Sequence, residues 1–130
     1  MNAFPRLFVW FNAILFASVG VGFLVAPEFF GAWVELELSS DTARTDVRAV
    51  YGGLDLGMGL FLLWCGADPE RTRAGIAAAT LGVVGLAFGR TLGSAIDGLS
   101  AANALFLAIE LTCAAGGLVA WRLHRTPHVT

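Results

Sequence analysis

Four apolar runs, each about 20 residues long, divide this chain at roughly 7–26, 47–66, 74–93 and 101–121. At ~1.5 Å of rise per residue, a helix of that length covers the ~30 Å hydrocarbon core of a bilayer. Hydrocarbon offers no partner to a backbone N–H or C=O, so runs of this length are read as helices. The expected fold class is all-α: a four-transmembrane-helix bundle, one integral membrane domain over residues 1–130. Composition agrees. Apolar residues make up 57 % of the chain and mean hydropathy is +0.74. Charged residues are 14 %, about half the share found in soluble domains, too few to cover a surface facing water. The net charge of -2 gives no reason to expect a nucleic-acid partner.

The first run is too long for a signal-peptide core and has no clear small-x-small cleavage site before Pro27. It is read as a retained helix that ends at Pro27. The stretch 27–46 is the one long loop. In it Phe29, Phe30 and Trp33 suit a membrane interface, and Val34, Leu36 and Leu38 alternate with Glu35 and Glu37 as a weak strand signal. Ser40 or Asp41 is a candidate N-cap for the second span. "ADPERTR" and "SAIDGLS" are short turns, the latter carrying Asp97-Gly98 as turn residues.

All eight basic residues are arginine, and their placement is asymmetric. Arg6, Arg71, Arg73, Arg122 and Arg125 fall on one side of the four spans, and Arg44, Arg48 and Arg90 at or near the other. That second side also carries Glu28, Glu35, Glu37, Asp41, Asp46 and Asp97. Positive charge concentrates on the cytoplasmic side of membrane proteins, which places both termini in the cytoplasm and the 27–46 loop outside.

Cys65 and Cys113 lie in apolar stretches with no His or Cys beside them and read as small buried hydrophobes. His124 and His128 are separated by a spacing that suits a helical metal pair, but Pro127 intervenes and no third ligand is near, so no metal site is expected. Glycine supplies the packing signal. Gly85, Gly89 and Gly93 recur every fourth residue, as do Gly53 and Gly57, a spacing that lets helix backbones approach closely. Packing within one bundle accounts for them, and so would contact in a homo-oligomer or a larger membrane complex.

The residues that most need explanation are polar ones within the spans. Asp55 sits near the middle of "VRAVYGGLDLGMGLFLLWC", Arg90 near the end of the third run, Glu110 in the middle of the fourth and Asn12 in the first. From the outer side, helical rise puts Arg90 about 5 Å deep, Asp55 about 12 Å and Glu110 about 15 Å, one half of the bilayer. Arg48, Gly52, Asp55 and Gly59 form one helical stripe, and Asn103, Glu110 and Gly117 another. A carboxylate facing lipid costs several kcal/mol, so both stripes are expected to face inward. Arginine presents a fork of five donors suited to bridging carboxylates. The expectation is therefore one polar cluster of Arg48, Asp55, Arg90 and Glu110, opening outward near Asp97. Tyr51, one turn before Asp55, either donates its hydroxyl into that cluster or serves as an interfacial anchor. Gly52, Gly53, Gly57 and Gly59 would leave room beside the carboxylate.

The stretches "DVRAVYGGLDLGMGLFLLW", "GRTLGSAIDG" and "AIEL" together resemble domain-of-unknown-function family 4345, a bacterial family of four-helix membrane proteins. The residues that match its pattern are Asp46, Arg48, Ala49, Tyr51, Gly52 and Gly53 before and in the second span. Gly89 and Arg90 follow at the end of the third, then Asp97 and Gly98 in the turn, and Glu110 in the fourth. Asp55 belongs less clearly to the pattern. The resemblance implies the four-helix fold and a bacterial inner membrane, and implies no activity. A looser similarity, in hydropathy and topology only, is to DoxX-like membrane proteins, which include subunits of quinone-linked oxidoreductases.

Three readings of function follow. In the first, the cluster binds the head group of a lipid, quinone or isoprenoid. In the second, it is a neutralised lock on helix packing in an accessory subunit. In the third, Asp55 or Glu110 is the acid or base of a small membrane enzyme. The sequence names no cofactor, and membrane lipid is the one partner it requires.

Overall fold

The computed structural model describes residues 3–124. Among them there are five helices and no strand: α1 (Phe4–Val25), α2 (Pro27–Trp33), α3 (Asp41–Gly66), α4 (Thr72–Asp97) and α5 (Ala101–Leu123). Four of them, α1, α3, α4 and α5, are long and apolar enough to cross a membrane, with 22, 26, 26 and 23 residues. Their surfaces agree. Leu7, Leu54, Leu81 and Phe88 are 63, 65, 70 and 70 % exposed, a scatter of large apolar groups that lipid solvates and water does not. The protein is an all-α membrane protein by length and composition of its helices.

The helices fall into two compact units. One comprises the chain up to Val9 together with everything from Cys65 onward; the other is Trp10–Trp64.

In the Trp10–Trp64 unit, α1 and α3 lie almost backbone to backbone. A β-carbon on Gly59 would come within 2.8 Å of the Ala17 Cα, and one on Gly20 within 2.8 Å of the Gly52 carbonyl oxygen. Neither position tolerates a side chain without separating the helices. The first turns of α3 deviate from α-helix: Arg48–Leu54 is wound in wide π-helical turns with i→i+5 bonds, a form common at functional positions.

The 27–46 stretch is more ordered than the expected loop. Pro27, with its fixed φ and no N–H to satisfy, stands at the first position of α2, and Glu28 lies in the first turn, where the helix dipole favours an acid. Phe30 packs its ring on Gly22 and lies 5.7 Å from Phe23. The strand expected at Val34, Leu36 and Leu38 does not form. The N–H groups of Val34 and Leu36 both donate to the Gly31 carbonyl, at 3.0 and 2.9 Å, and Glu35 between them has a φ of 57°. A lone extended segment has no neighbour to pair with, whereas the end of α2 offers free carbonyls. Of the two candidate caps, Ser40 is the one used: its Oγ accepts from the Ala43 N–H at 3.1 Å.

In the other unit, α4 and α5 form an antiparallel hairpin. Ile76, Ala79, Val83 and Ala87 of α4 are buried, as are Ala114, Gly117 and Ala120 of α5. Gly117 admits Thr80 where a β-carbon would lie 3.0 Å from the Thr80 Cβ. α4 outlasts its expected end at 93 by four residues, and the "SAIDGLS" turn shrinks to 98–100. Gly98, at a φ of 97°, terminates α4 by donating its N–H to the Ser94 carbonyl. Ser100 then caps α5 by accepting from the Asn103 N–H at 3.1 Å. Such a short connection fixes the register of the two helices, and that register builds the site.

Candidate functional site

Thr80 sits against Gly117, and further along α4 Arg90 meets Glu110 and Asn103. The hairpin therefore brings one polar residue of α4 between two of α5. Arg90 donates from Nε to both Glu110 oxygens, at 3.0 and 3.1 Å, and from Nη2 to Oε1 at 2.8 Å. Its Nη1 donates to Asn103 Oδ1 at 2.9 Å. The guanidinium carbon also lies 5.1 Å from the centre of the Phe106 ring, within cation–π range. Glu110 and Asn103, two turns apart on one face of α5, thus converge on a single cation. The side chains are 24 % exposed for Arg90 and 11 % for Glu110, so the pair is largely withdrawn from its surroundings.

The ion pair does not exhaust the donors. A guanidinium has five N–H groups, and one on each Nη nitrogen of Arg90 remains without a partner among the described residues. The Asn103 amide nitrogen is likewise unused there. One turn beyond Arg90, Ser94 carries a buried Oγ with no hydrogen-bond partner among the described residues. The antiparallel register sets it level with the Asn103 turn. The four threonines of α4 and α5 behave differently: Thr72, Thr80, Thr91 and Thr112 each donate back to the carbonyl four residues earlier. Ser94 is turned away from that default.

A family model described as "Domain of unknown function (DUF4345)" matches residues 4–122 of the chain. The protein belongs to the DUF4345 family. No curated protein and no solved structure matches it. The residues through which the sequence resembles DUF4345 take distinct parts in the structure. Arg90 and Glu110 form the ion pair. Gly98 ends α4, with Asp97 exposed beside it and bonded to no other described side chain. Arg48 donates from Nε to the Leu24 carbonyl at 3.2 Å, closing the C-terminal turn of α1 rather than reaching a carboxylate. Tyr51 packs against Phe23 with ring centres 5.2 Å apart and planes tilted by 31°, and is 43 % exposed. Gly52 meets the Leu24 side chain, where a β-carbon would lie 2.8 Å from Cγ.

Asp55 lies in the Trp10–Trp64 unit, directly after the wide turns of α3, and is half-buried. Within that unit no hydrogen bond or ion pair reaches it. The expected stripe through Arg48 and Asp55 assumes 3.6 residues per turn, which the π-helical winding between them does not have. Of the glycines read as packing residues, Gly52 makes the close contact and Gly53 approaches only the Arg48 carbonyl, at 3.8 Å. Within their own units Gly57, Gly85, Gly89 and Gly93 meet nothing that a methyl group would touch. Further close approaches are made by Gly20, Gly22, Gly59, Gly75 and Gly117. Ser94 and Phe106 escaped the sequence reading. A serine four residues after an intramembrane arginine was the signal for the first; no signal marked the second. Of the two histidines, His124 follows α5, and His128 lies outside the described residues, as does Arg125.

Proposed function

We propose that this protein binds the head group of a neutral lipophilic molecule, a quinone or a lipid ester, at the Arg90, Ser94, Asn103 and Glu110 site. The surplus of donors carries this reading. Two guanidinium N–H groups, the Asn103 amide and the Ser94 hydroxyl are carried by a single hairpin and are left without acceptors among the described residues. Of these donors the Ser94 hydroxyl is the buried one, and a buried polar group without a partner indicates a missing one. What this site lacks is an acceptor, and a carbonyl oxygen is the simplest. The ion pair itself sums to zero charge, so a head group with net charge would enter hydrocarbon depth uncompensated. That favours carbonyl over phosphate, and a quinone or ester over an isoprenoid phosphate.

The lock reading has its own support, since Glu110 is gripped by two nitrogens of Arg90 and holds α4 to α5. The two readings differ in one experiment. Protein purified in mild detergent is examined by native mass spectrometry and its extract analysed for neutral lipids. A retained quinone or ester lipid, lost at least tenfold in Ser94→Ala combined with Asn103→Ala, supports binding. No retained molecule, together with a gain in melting temperature for Ser94→Ala, supports the lock. Placement in a bacterial inner membrane, with both termini cytoplasmic, completes the proposal, on the support of the arginine asymmetry alone.

A further inference from the structure

A second charged region lies at the opposite end of the α4–α5 hairpin, in the same unit, and takes no part in the proposed head-group site. Here the start of α1, the end of α3, the start of α4 and the end of α5 come together. Arg6 donates from Nε to the Gly66 carbonyl at 2.9 Å, Val9 and Cys65 both pack on Gly75, and Phe8 lies against Gly116. Four arginines are gathered there, Arg6, Arg71, Arg73 and Arg122, against the two acids Asp68 and Glu70. Among the described residues only Arg71 of the four is ion-paired, to Asp68 at 3.1 Å.

The remaining three are arranged to present charge outward. Arg6 is exposed and anchored by Nε alone, which leaves both Nη nitrogens without a partner among the described residues. Arg73 lies over Trp121, its guanidinium carbon 4.2 Å from the ring centre. Stacking on an aromatic face fixes the plane of a guanidinium and keeps its N–H edge free. Trp121, 41 % exposed at the end of α5, has the position of a residue at the boundary between lipid tail and head group. Arg122 is exposed and makes no ion pair among the described residues.

From this arrangement we infer that Arg6, Arg73 and Arg122 form a docking surface for anionic phospholipid in the leaflet at that end of the protein. A phosphodiester accepts hydrogen bonds in the bidentate geometry a guanidinium offers, and it sits at the depth that Trp121 marks. An uncharged surface would need no such arrangement, and a free anion would not be held at the lipid boundary. The attraction is electrostatic, so it is screened by salt. Near an anionic surface each unpaired arginine is worth about a fivefold preference at low salt.

The test is lipid selectivity of the intact protein. Detergent-solubilised protein is titrated with phosphatidylglycerol or phosphatidylcholine of matched chains and bound lipid is counted by native mass spectrometry. Wild-type protein is expected to retain phosphatidylglycerol at least fivefold better, with the preference collapsing in the combined Arg6→Gln, Arg73→Gln and Arg122→Gln variant. Arg44→Gln, far along the chain in the other unit, should keep it. Equal retention of the two lipids by wild-type protein would overturn the inference, as would a preference that survives the triple substitution. Should that variant not fold, spin-labelled lipids around reconstituted wild-type protein decide instead. An excess of immobilised phosphatidylglycerol that disappears between ~0.02 and ~0.5 M salt supports the surface; an excess indifferent to salt refutes it.

Discussion

Arg90 grips Glu110 from across the α4–α5 hairpin through two nitrogens, with the shortest contact at 2.8 Å. In a segment that crosses a membrane, neither charge is tolerable alone, and together they set the register of the two longest connected helices in their unit. The same grip leaves one N–H on each Nη nitrogen of Arg90 without a partner among the described residues. Structure and proposed function thus rest on one pair, and the pair yields the first test.

Arg90→Ala leaves Glu110 without its cation at 11 % exposure. The expected loss is about 3–5 kcal/mol, read as a fall in melting temperature in detergent. Adding Glu110→Gln should recover much of it. Arg90→Lys, which keeps the charge but not the fork, should fall between the two. Losses that simply add would show that the residues act independently.

Glycines divide into those that touch and those that do not. Gly59→Ala forces a methyl group to within 2.8 Å of the Ala17 Cα and is expected to destabilise by about 1–3 kcal/mol. Gly85→Ala meets nothing within its unit and removes a helix-weakening residue, so it should be neutral or stabilise by up to about 1 kcal/mol. If Gly85→Ala instead lowers the melting temperature or changes the oligomeric state, its face is packed against something in the membrane.

Asp55 offers a comparison with Glu110. With no hydrogen bond or ion pair in its own unit, its charge is a burden on the span. Asp55→Asn is expected to raise the melting temperature in lipid nanodiscs, whereas Glu110→Gln should lower it. A marked loss of stability in Asp55→Asn would reveal a partner for the carboxylate.

Topology can be read by labelling. In a background with Cys65 and Cys113 replaced, Glu37→Cys should react with an impermeant maleimide in intact cells and Glu70→Cys should not. Both positions are accessible to reagent: Glu70 is exposed and Glu37 lies between α2 and α3. The reverse labelling would invert the proposed orientation.

The sequence by itself determined the number, kind and approximate place of the spans, because hydrocarbon leaves a chain of apolar runs about 20 residues long no alternative to helix. It also determined that Asn103, Glu110 and Gly117 share one face of α5, since that follows from helical period alone. Three things waited for the tertiary structure. Ser40 rather than Asp41 caps α3, a choice decided by backbone geometry at one residue. The stripe through Arg48 and Asp55 depends on a regular period, and the π-helical turns between them change that period without any signature in composition. Finally, the partner of Arg90 is a matter of register between helices. Depth placed Asp55 and Glu110 equally within reach, but a connection of three residues between α4 and α5, closed by Gly98 and Ser100, aligned Arg90 with Glu110 and Asn103. Spacing along one helix is written locally in the chain, whereas the angle and offset between two helices are set by how their side chains pack.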